Sequence, residues 1–157
     1  MQQQATDVIL ASDHRGFELK NKIKDFLREK KLFFVDIGVE NSDRPLDSAP
    51  MPPIIKVVKE AAECVQSAKH MCGIFICGDG IAMSIAANRF RGIRAGLCRT
   101  VDGVKQARQH NDINVLCLGG ESIDFEEAKK IVSAFLSTRP LEDVRYRKRQ
   151  KLFDEMA

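Results

Sequence analysis

Gly73-Ile74-Phe75-Ile76-Cys77-Gly78-Asp79-Gly80-Ile81-Ala82-Met83-Ser84-Ile85-Ala86-Ala87-Asn88 runs from an apolar stretch through two glycines into helix-forming residues. A short run such as Ile74, Phe75 and Ile76 suits a strand covered on both faces. Gly78 and Gly80 permit backbone angles and close approaches that a Cβ would block. The helix that follows directs free N–H groups and its positive dipole end at the turn, which suits an anion or a developing oxyanion. Cys77, at the strand's end beside those donors, is expected to lose its proton more easily than free cysteine. This turn is the expected chemical centre.

Upstream of the turn, Val8-Ile9-Leu10-Ala11 reads as a buried strand ending in Ser12-Asp13-His14-Arg15-Gly16, where parallel α/β sheets build their sites. Phe17, Leu19, Ile23, Phe26 and Leu27 recur at helical spacing, and Leu32 to Ile37 forms a second strand. The proline-rich stretch from Asn41 to Pro53 reads as a loop, and Ile54 to Ser67 as a helix. Downstream, Gly92 to Cys98 is a fourth strand and Val101 to Gln109 a helix ending near His110-Asn111-Asp112. Asn114 to Leu118 is a fifth strand. Asp124 caps a helix running to about Ser137, with Glu126 and Glu127 in its favourable first turn. Beyond Pro140 lies a basic C-terminal helix. Strands alternating with helices imply an α/β fold with a five-stranded parallel sheet wrapped on both faces, forming one domain over residues 1–157.

Composition narrows the class. Of 157 residues, 44% are hydrophobic and 30% charged, as in an ordinary globular protein. A net charge of +3, from 25 basic and 22 acidic residues, is too even to argue for nucleic acid. The basic bias lies mainly in Arg145-Tyr146-Arg147-Lys148-Arg149-Gln150-Lys151. Five cysteines without a CxxC pair suggest neither a disulfide framework nor a zinc site. The opening Met-Gln-Gln-Gln-Ala-Thr lacks a leader pattern and no apolar run is long enough to span a bilayer, so a reducing, cytoplasmic setting without membrane is expected.

Four separated motifs then agree in order. Ser12-Asp13-His14-Arg15-Gly16-Phe17-Glu18-Leu19-Lys20, Ile76-Cys77-Gly78-x-Gly80-x-x-Met83-Ser84-Ile85-Ala86-Ala87-Asn88, Gly92-Ile93-Arg94-Ala95 and His110-Asn111-Asp112-x-Asn114-Val115-Leu116 resemble the ribose-5-phosphate isomerase B family, which includes the galactose-6-phosphate isomerase subunits. The resemblance implies a Rossmann-like three-layer α/β/α fold with no cofactor and no metal requirement. It further implies a homodimer or homotetramer whose active sites span the dimer interface. It points to a small-molecule sugar phosphate as substrate, most simply ribose 5-phosphate and ribulose 5-phosphate exchanged through an enediolate. The alternatives are a six-carbon sugar phosphate, such as allose or galactose 6-phosphate, and a noncatalytic sugar-phosphate binder.

Such an isomerisation needs a ring opener, a base, donors for the enediolate oxygen and cations for the phosphate. The resemblance makes Cys77 the base and His110 the ring opener, with Asn111 holding a sugar oxygen. Gly78, Gly80 and the amides of Ile81 and Ala82 look like the oxyanion hole. Asp13 would bind sugar hydroxyls and His14 the phosphate. Arg145 and Arg149, one helical turn apart, could face the phosphate together. Packing in a strand (Cys77), a helix-end histidine (His110), a strand-end cap (Asp13) and a solvated basic helix are the bland counterparts. Asn88 is expected to pack or cap, and His70 matches nothing. Three departures stand out. Asp79 replaces the usual Thr or Ser, and should raise the thiol's pKa or itself move protons. Glu121 stands where the family commonly has an Arg that helps hold phosphate. An Asp-Tyr-Pro motif is missing, with Pro50-Met51-Pro52 and Asp47 as the nearest counterparts. A dinucleotide site is disfavoured, since the turn lacks the third glycine of GxGxxG.

Overall fold

The apolar runs that are buried almost throughout form the middle of a sheet, and the shorter ones form its edges. The computed structural model describes residues 7–43, 53–67 and 70–156. In chain order the elements are β1 (Asp7–Ser12), α1 (Phe17–Glu29), β2 (Phe34–Asp36), α2 (Pro53–Ser67), β3 (Met71–Cys77), α3 (Ile81–Ala87), β4 (Ala95–Leu97), α4 (Val101–Asn111), β5 (Val115–Gly119), α5 (Phe125–Ser137) and α6 (Val144–Glu155). The strands lie in the order β2-β1-β3-β5-β4, and every pairing is parallel. Most of the proline-rich stretch lies outside the described residues. Among the described residues no helix is long and apolar enough to cross a membrane.

Alternation along the inner strands splits the core in two. Val8, Leu10, Ile74, Ile76, Leu116 and Leu118 meet α1, α4 and α5 on one face. Ile9, Ala11, Phe75, Cys77, Val115 and Cys117 meet α2 and α3 on the other. Connections stepping one way across the sheet (α2, α3) therefore share a face, and those stepping back (α1, α4) share the opposite one. A single crossover hand requires this. Thr100 caps α4 by accepting from the Gly103 amide at 3.0 Å, and Asp124 caps α5 through the Glu127 amide at 2.9 Å, each satisfying a donor that the helix start leaves open.

Lys20 departs from the amphipathic pattern of α1, being only 2% exposed. Its ammonium donates to Asp36 Oδ1 at 2.9 Å and the Val39 carbonyl at 2.8 Å, which offsets the cost of burying the charge. Burial is the largest single effect on the Asp36 carboxyl and raises it, but the hydrogen bonds from Lys24, Lys20 and the Gly38 amide together outweigh burial and hold it below its usual range. The α1 helix is thus pinned to the end of β2, beside the crevice where β1 finishes.

The turn from β3 into α3 depends on Gly80, which has φ +81°. A Cβ there would stand 2.6 Å from Leu97 Cδ1 and 3.0 Å from the Leu118 backbone. Gly92 also has positive φ, at +74°, but no atom lies within 4 Å of its would-be Cβ. Gly92→Ala should therefore cost about 1 kcal/mol, the left-handed backbone penalty alone. Gly80→Ala should cost about 3 kcal/mol, since overpacking against two strands is added. Urea unfolding midpoints at unchanged m-value measure both. Equal losses would show that backbone angle alone sets the requirement at position 80.

Candidate functional site

Neighbouring strands β1 and β3 send the chain off in opposite directions, so their C-terminal ends open a crevice at the sheet's switch point. Asp13 extends the ladder there, its amide donating to the Ile76 carbonyl at 3.2 Å. Its carboxylate is 7% exposed with the rest of the residue and accepts the amides of Arg15 and Gly16, both at 3.0 Å. Asp13 therefore does hold its own turn, as the strand-end cap would.

Across the crevice, the Cys77 sulfur accepts the Gly80 amide at 3.2 Å, and the thiol donates to Asp79 Oδ1 at 3.7 Å. The same carboxylate oxygen accepts the Ile81 amide at 2.9 Å. The β5 turn supports this loop from the side: the Gly120 amide donates to the Cys77 carbonyl at 2.7 Å and the Glu121 amide to the Gly78 carbonyl at 3.0 Å. Two of the expected oxyanion donors, Gly80 and Ile81, are thus engaged by Cys77 and Asp79. The Ala82 amide has no acceptor among the described residues.

Electrostatics here correct the expectation of an easily ionised thiol. Burial pushes Cys77 up, the amides of Met83 and Gly80 pull against it, and the Asp13 charge raises it further. Asp79 is held below the usual carboxylate range, first by the Ile81 amide and then, against slight burial, by the thiol's hydrogen bond. At neutral pH the pair rests as a thiol donating to a carboxylate. Cys98 is pushed up to about 11 and Cys72 to about 12, and Cys117 also rises, all chiefly by burial. These behave as small buried hydrophobes.

Glu121 does not face the crevice as a bare anion. It accepts the Arg15 guanidinium through both oxygens, Nε to Oε1 at 2.8 Å and Nη2 to Oε2. This bidentate pair holds the Glu121 carboxyl below its ordinary range. His14 is partly buried and acts electrostatically on Glu121.

His110 and Asn111 lie elsewhere. They end α4, just before β5 begins, whereas Cys77 is registered with Gly119 where β5 finishes. Strands rise roughly 3.3 Å per residue, so the two groups occupy opposite ends of the sheet within one chain. The His110 ring stacks on Tyr146, with centroids 4.5 Å apart and planes at 17°. Arg149 donates to the His110 carbonyl at 2.9 Å, and the cations of Arg149 and Arg145 stand 5.2 and 5.7 Å from the Tyr146 ring. Arg145 is also paired with Asp143. Arg94 ties this end together, bonding the Asp112 carbonyl, the Asp112 carboxylate and Asp154 of α6.

Two cavities flank that end as well. One of about 720 Å³ is lined by Arg91, Arg94, Arg108, Asp112 and Asp154, and one of about 580 Å³ runs beside β4 past Asn111, Phe153 and Met156. The Cys77 turn is instead an open groove, with Asp79, Ile81 and Ala82 exposed. Among the described residues no three His, Cys, Asp or Glu side chains group as metal ligands.

The chain therefore brings Asp13, His14, Cys77, Gly78, Asp79, Gly80, Ile81 and Ala82 together, and separately gathers His110, Asn111, Arg145 and Arg149. Asp47 and Pro50-Met51-Pro52 lie outside the described residues. Asn88 packs and caps, its side chain exchanging hydrogen bonds with the Ala95 backbone at 2.8 and 2.9 Å. His70 pairs with Asp7 at 3.3 Å. Two residues escaped the sequence reading: Tyr146, the chain's one tyrosine, and Arg15. The first was signalled by its place within the basic run, three residues before Arg149. The second carried no signal beyond sitting in the Asp-His-Arg-Gly motif.

Known proteins match this arrangement from end to end. Residues 8–152 fit the model of the Ribose/Galactose Isomerase family. The ribose-5-phosphate isomerase B of Escherichia coli K12 is 37% identical over 132 residues, 84% of each chain. The D-erythrulose-4-phosphate isomerase of Pectobacterium atrosepticum is 35% identical over 82% of this chain and 81% of its own. Among solved structures, a ribose 5-phosphate isomerase from Thermotoga maritima superposes with a TM-score of 0.86 at 39% identity, covering 96% of this chain and 98% of the other. The ribose-5-phosphate isomerase B of Mycoplasma genitalium with bound ribulose-5-phosphate gives 0.85 at 31% identity, over 96% and 95%. With the parallel sheet, the glycine turn at the switch point and a match spanning nearly its whole length, the chain belongs to the ribose/galactose isomerase family.

Proposed function

We propose that the chain is a sugar-phosphate isomerase that interconverts ribose 5-phosphate and ribulose 5-phosphate through an enediolate, as a single domain acting in a two-fold assembly. The observation that carries this reading is the Cys77 thiol, hydrogen-bonded to the Asp79 carboxylate and accepting the Gly80 amide at the switch point of the sheet. Cys77 takes the proton from C2 of the open-chain aldose and returns it at C1, while the proton of the O2 hydroxyl passes to O1, so the aldehyde becomes a hydroxymethyl group and C2 the carbonyl. Because the thiol is protonated at rest, Asp79 carries its proton away before the step. The turn amides, the Ala82 amide first, hold the enediolate oxygen. Asp13 positions sugar hydroxyls and His14 the phosphate.

His110 opens the ring from a second copy, with Asn111 beside it and Arg145 and Arg149 meeting the phosphate. Its distance from Cys77 within one chain supports this arrangement. So does uncovered apolar surface: Ile81 and Ile85 beside the turn are 44% and 58% exposed, and α6 has no buried residue. The name of the Pectobacterium relative favours a second reading, a sugar phosphate of another chain length.

Ribulose 5-phosphate formation with chelator present tests the reaction. Wild-type turnover should survive chelation, and Cys77→Ala should reduce it at least about 100-fold. A wild-type rate at the blank level would leave other chain lengths, then a noncatalytic binder. Mixing Cys77→Ala and His110→Ala chains after unfolding and refolding tests the shared site. Random pairing leaves one intact site per mixed dimer, so activity should return to about a quarter of wild type. No recovery would place both residues' action within one chain.

The thiol's protonation is tested by following alkylation of Cys77 against pH, peptide by peptide, by mass spectrometry. Its inflection should lie above that of free cysteine, and Asp79→Asn should move it downward because a neighbouring anion and hydrogen-bond acceptor for the thiol is removed. An unmoved inflection would take Asp79 out of the proton path.

A further inference from the structure

Fixed charge at the Cys77 crevice is mostly negative on this chain. Asp13, Asp79 and Glu121 stand there, and the basic groups acting on Asp79 and Glu121 are Arg15 and His14. An anionic substrate could not settle beside three carboxylates without a cation placed to receive it.

Arg15 is placed from both of its ends. Its amide is held by Asp13 at 3.0 Å, and its carbonyl lies against Gly120, 2.9 Å from where a Cβ would stand. Its guanidinium is forked onto Glu121, Nε at 2.8 Å. A Cβ on Gly78 would lie 2.3 Å from Arg15 Cζ. Glycine at 78 is therefore the room that Arg15 occupies, directly on the turn that follows Cys77. Among the described residues the second terminal nitrogen, Nη1, has no protein acceptor. Both side chains of the pair are about half exposed, at 51% and 52%. Such a pair contributes little to stability, but it decides where the guanidinium points. Arg15 and Glu121 come from different turns, 106 residues apart.

We propose that Arg15 is a substrate-positioning residue of the Cys77 crevice, its guanidinium aimed by Glu121 to receive the phosphate of the sugar phosphate on the same chain as the thiol. This rests on the sugar-phosphate reading above. Glu121 has two opposed effects: it orients the fork, and its own charge repels the substrate once the fork is gone.

The test measures KM and kcat for ribose 5-phosphate, and the affinity for inorganic phosphate by calorimetry. It uses wild type, Arg15→Ala, Arg15→Lys, Glu121→Gln and the Arg15→Ala/Glu121→Gln double variant, each checked for a native melting transition. Arg15→Ala should raise KM and weaken phosphate binding about 10- to 100-fold, as loss of a charge-assisted fork does, with kcat changed much less. Arg15→Lys, keeping charge without the fork, should recover part of both. Glu121→Gln should raise KM in the wild-type background and lower it in the Arg15→Ala background, a reversal of sign that a merely structural ion pair does not produce. Unchanged KM and phosphate affinity in Arg15→Ala, with wild type active, would overturn the positioning role and leave the sugar-phosphate reading intact. A wild type that turns over no ribose 5-phosphate, yet whose phosphate affinity falls in Arg15→Ala, would keep the positioning role and sink the substrate. A wild type that binds neither overturns both.

Discussion

Residue 80 must be left-handed and must lack a side chain, and much of the structure follows from that pair of requirements. With φ at +81° and Leu97 and Leu118 occupying the space a Cβ would need, the chain turns out of the central strand within three residues and lays α3 on the same face as α2. The turn points the Gly80 amide back at the Cys77 sulfur and, among the described residues, leaves the Ala82 amide of α3 without an acceptor. It also brings the β5 turn close enough to bond the carbonyls of Cys77 and Gly78. One backbone angle thus joins strand, helix and neighbouring strand at the place where a thiol, a carboxylate and amide donors meet.

Position beside a helix start is not sufficient to ionise that thiol. The amides favour the thiolate, but burial in the α2 and α3 layer and the nearby Asp13 charge act against it, and burial has the largest effect. Asp79 is held ionised by the Ile81 amide and accepts the thiol proton in a hydrogen bond. The two groups consequently titrate as a pair, and a proton on one is a statement about the other. On the proposed reading, the carboxylate that replaces the family's usual hydroxyl residue changes how the base is prepared, while the fold around it is unaltered.

The inner strands β1, β3 and β5 were legible because burial on both faces writes itself as a continuous apolar run. The edge strands were read too long. Leu32 to Ile37 and Gly92 to Cys98 each read as one strand, but pairing reaches only Phe34–Asp36 and Ala95–Leu97, and Phe33 is 62% exposed. Helix α4 runs on to Asn111 because Asp112, at φ +46°, closes it with Arg94 and Arg108 on its carboxylate, and local spacing says nothing of Arg94. Lys20 falls between the apolar positions that mark α1, yet it is buried with its ammonium on Asp36. Glu121 reads as a reversal of charge and is matched by Arg15. Each of these depends on a partner distant in sequence, which periodicity does not record.

The separation of His110 from Cys77 follows from the topology itself. In a parallel sheet every crossover helix runs opposite to the strands, so a residue ending such a helix lies at the end of the sheet where the next strand starts, and a residue ending a strand lies at the other. No loop adjustment within one chain brings α4's last turn to the finish of β3. On the proposed reading a constellation that needs both residues is closed by a second copy, and two-fold symmetry would set one copy's lower end against the other's upper end. The lower end is prepared for that as a unit: Tyr146 backs the His110 ring, Arg149 grips its carbonyl, and Arg94 anchors α6 through Asp154. No residue of helix α6 is fully buried, and its apolar residues Val144, Leu152, Phe153 and Met156 stand exposed, a surface that the second copy of the proposed assembly would cover. The same symmetry that would complete the site would thus also complete the packing of this helix, and loss of one would be felt in the other.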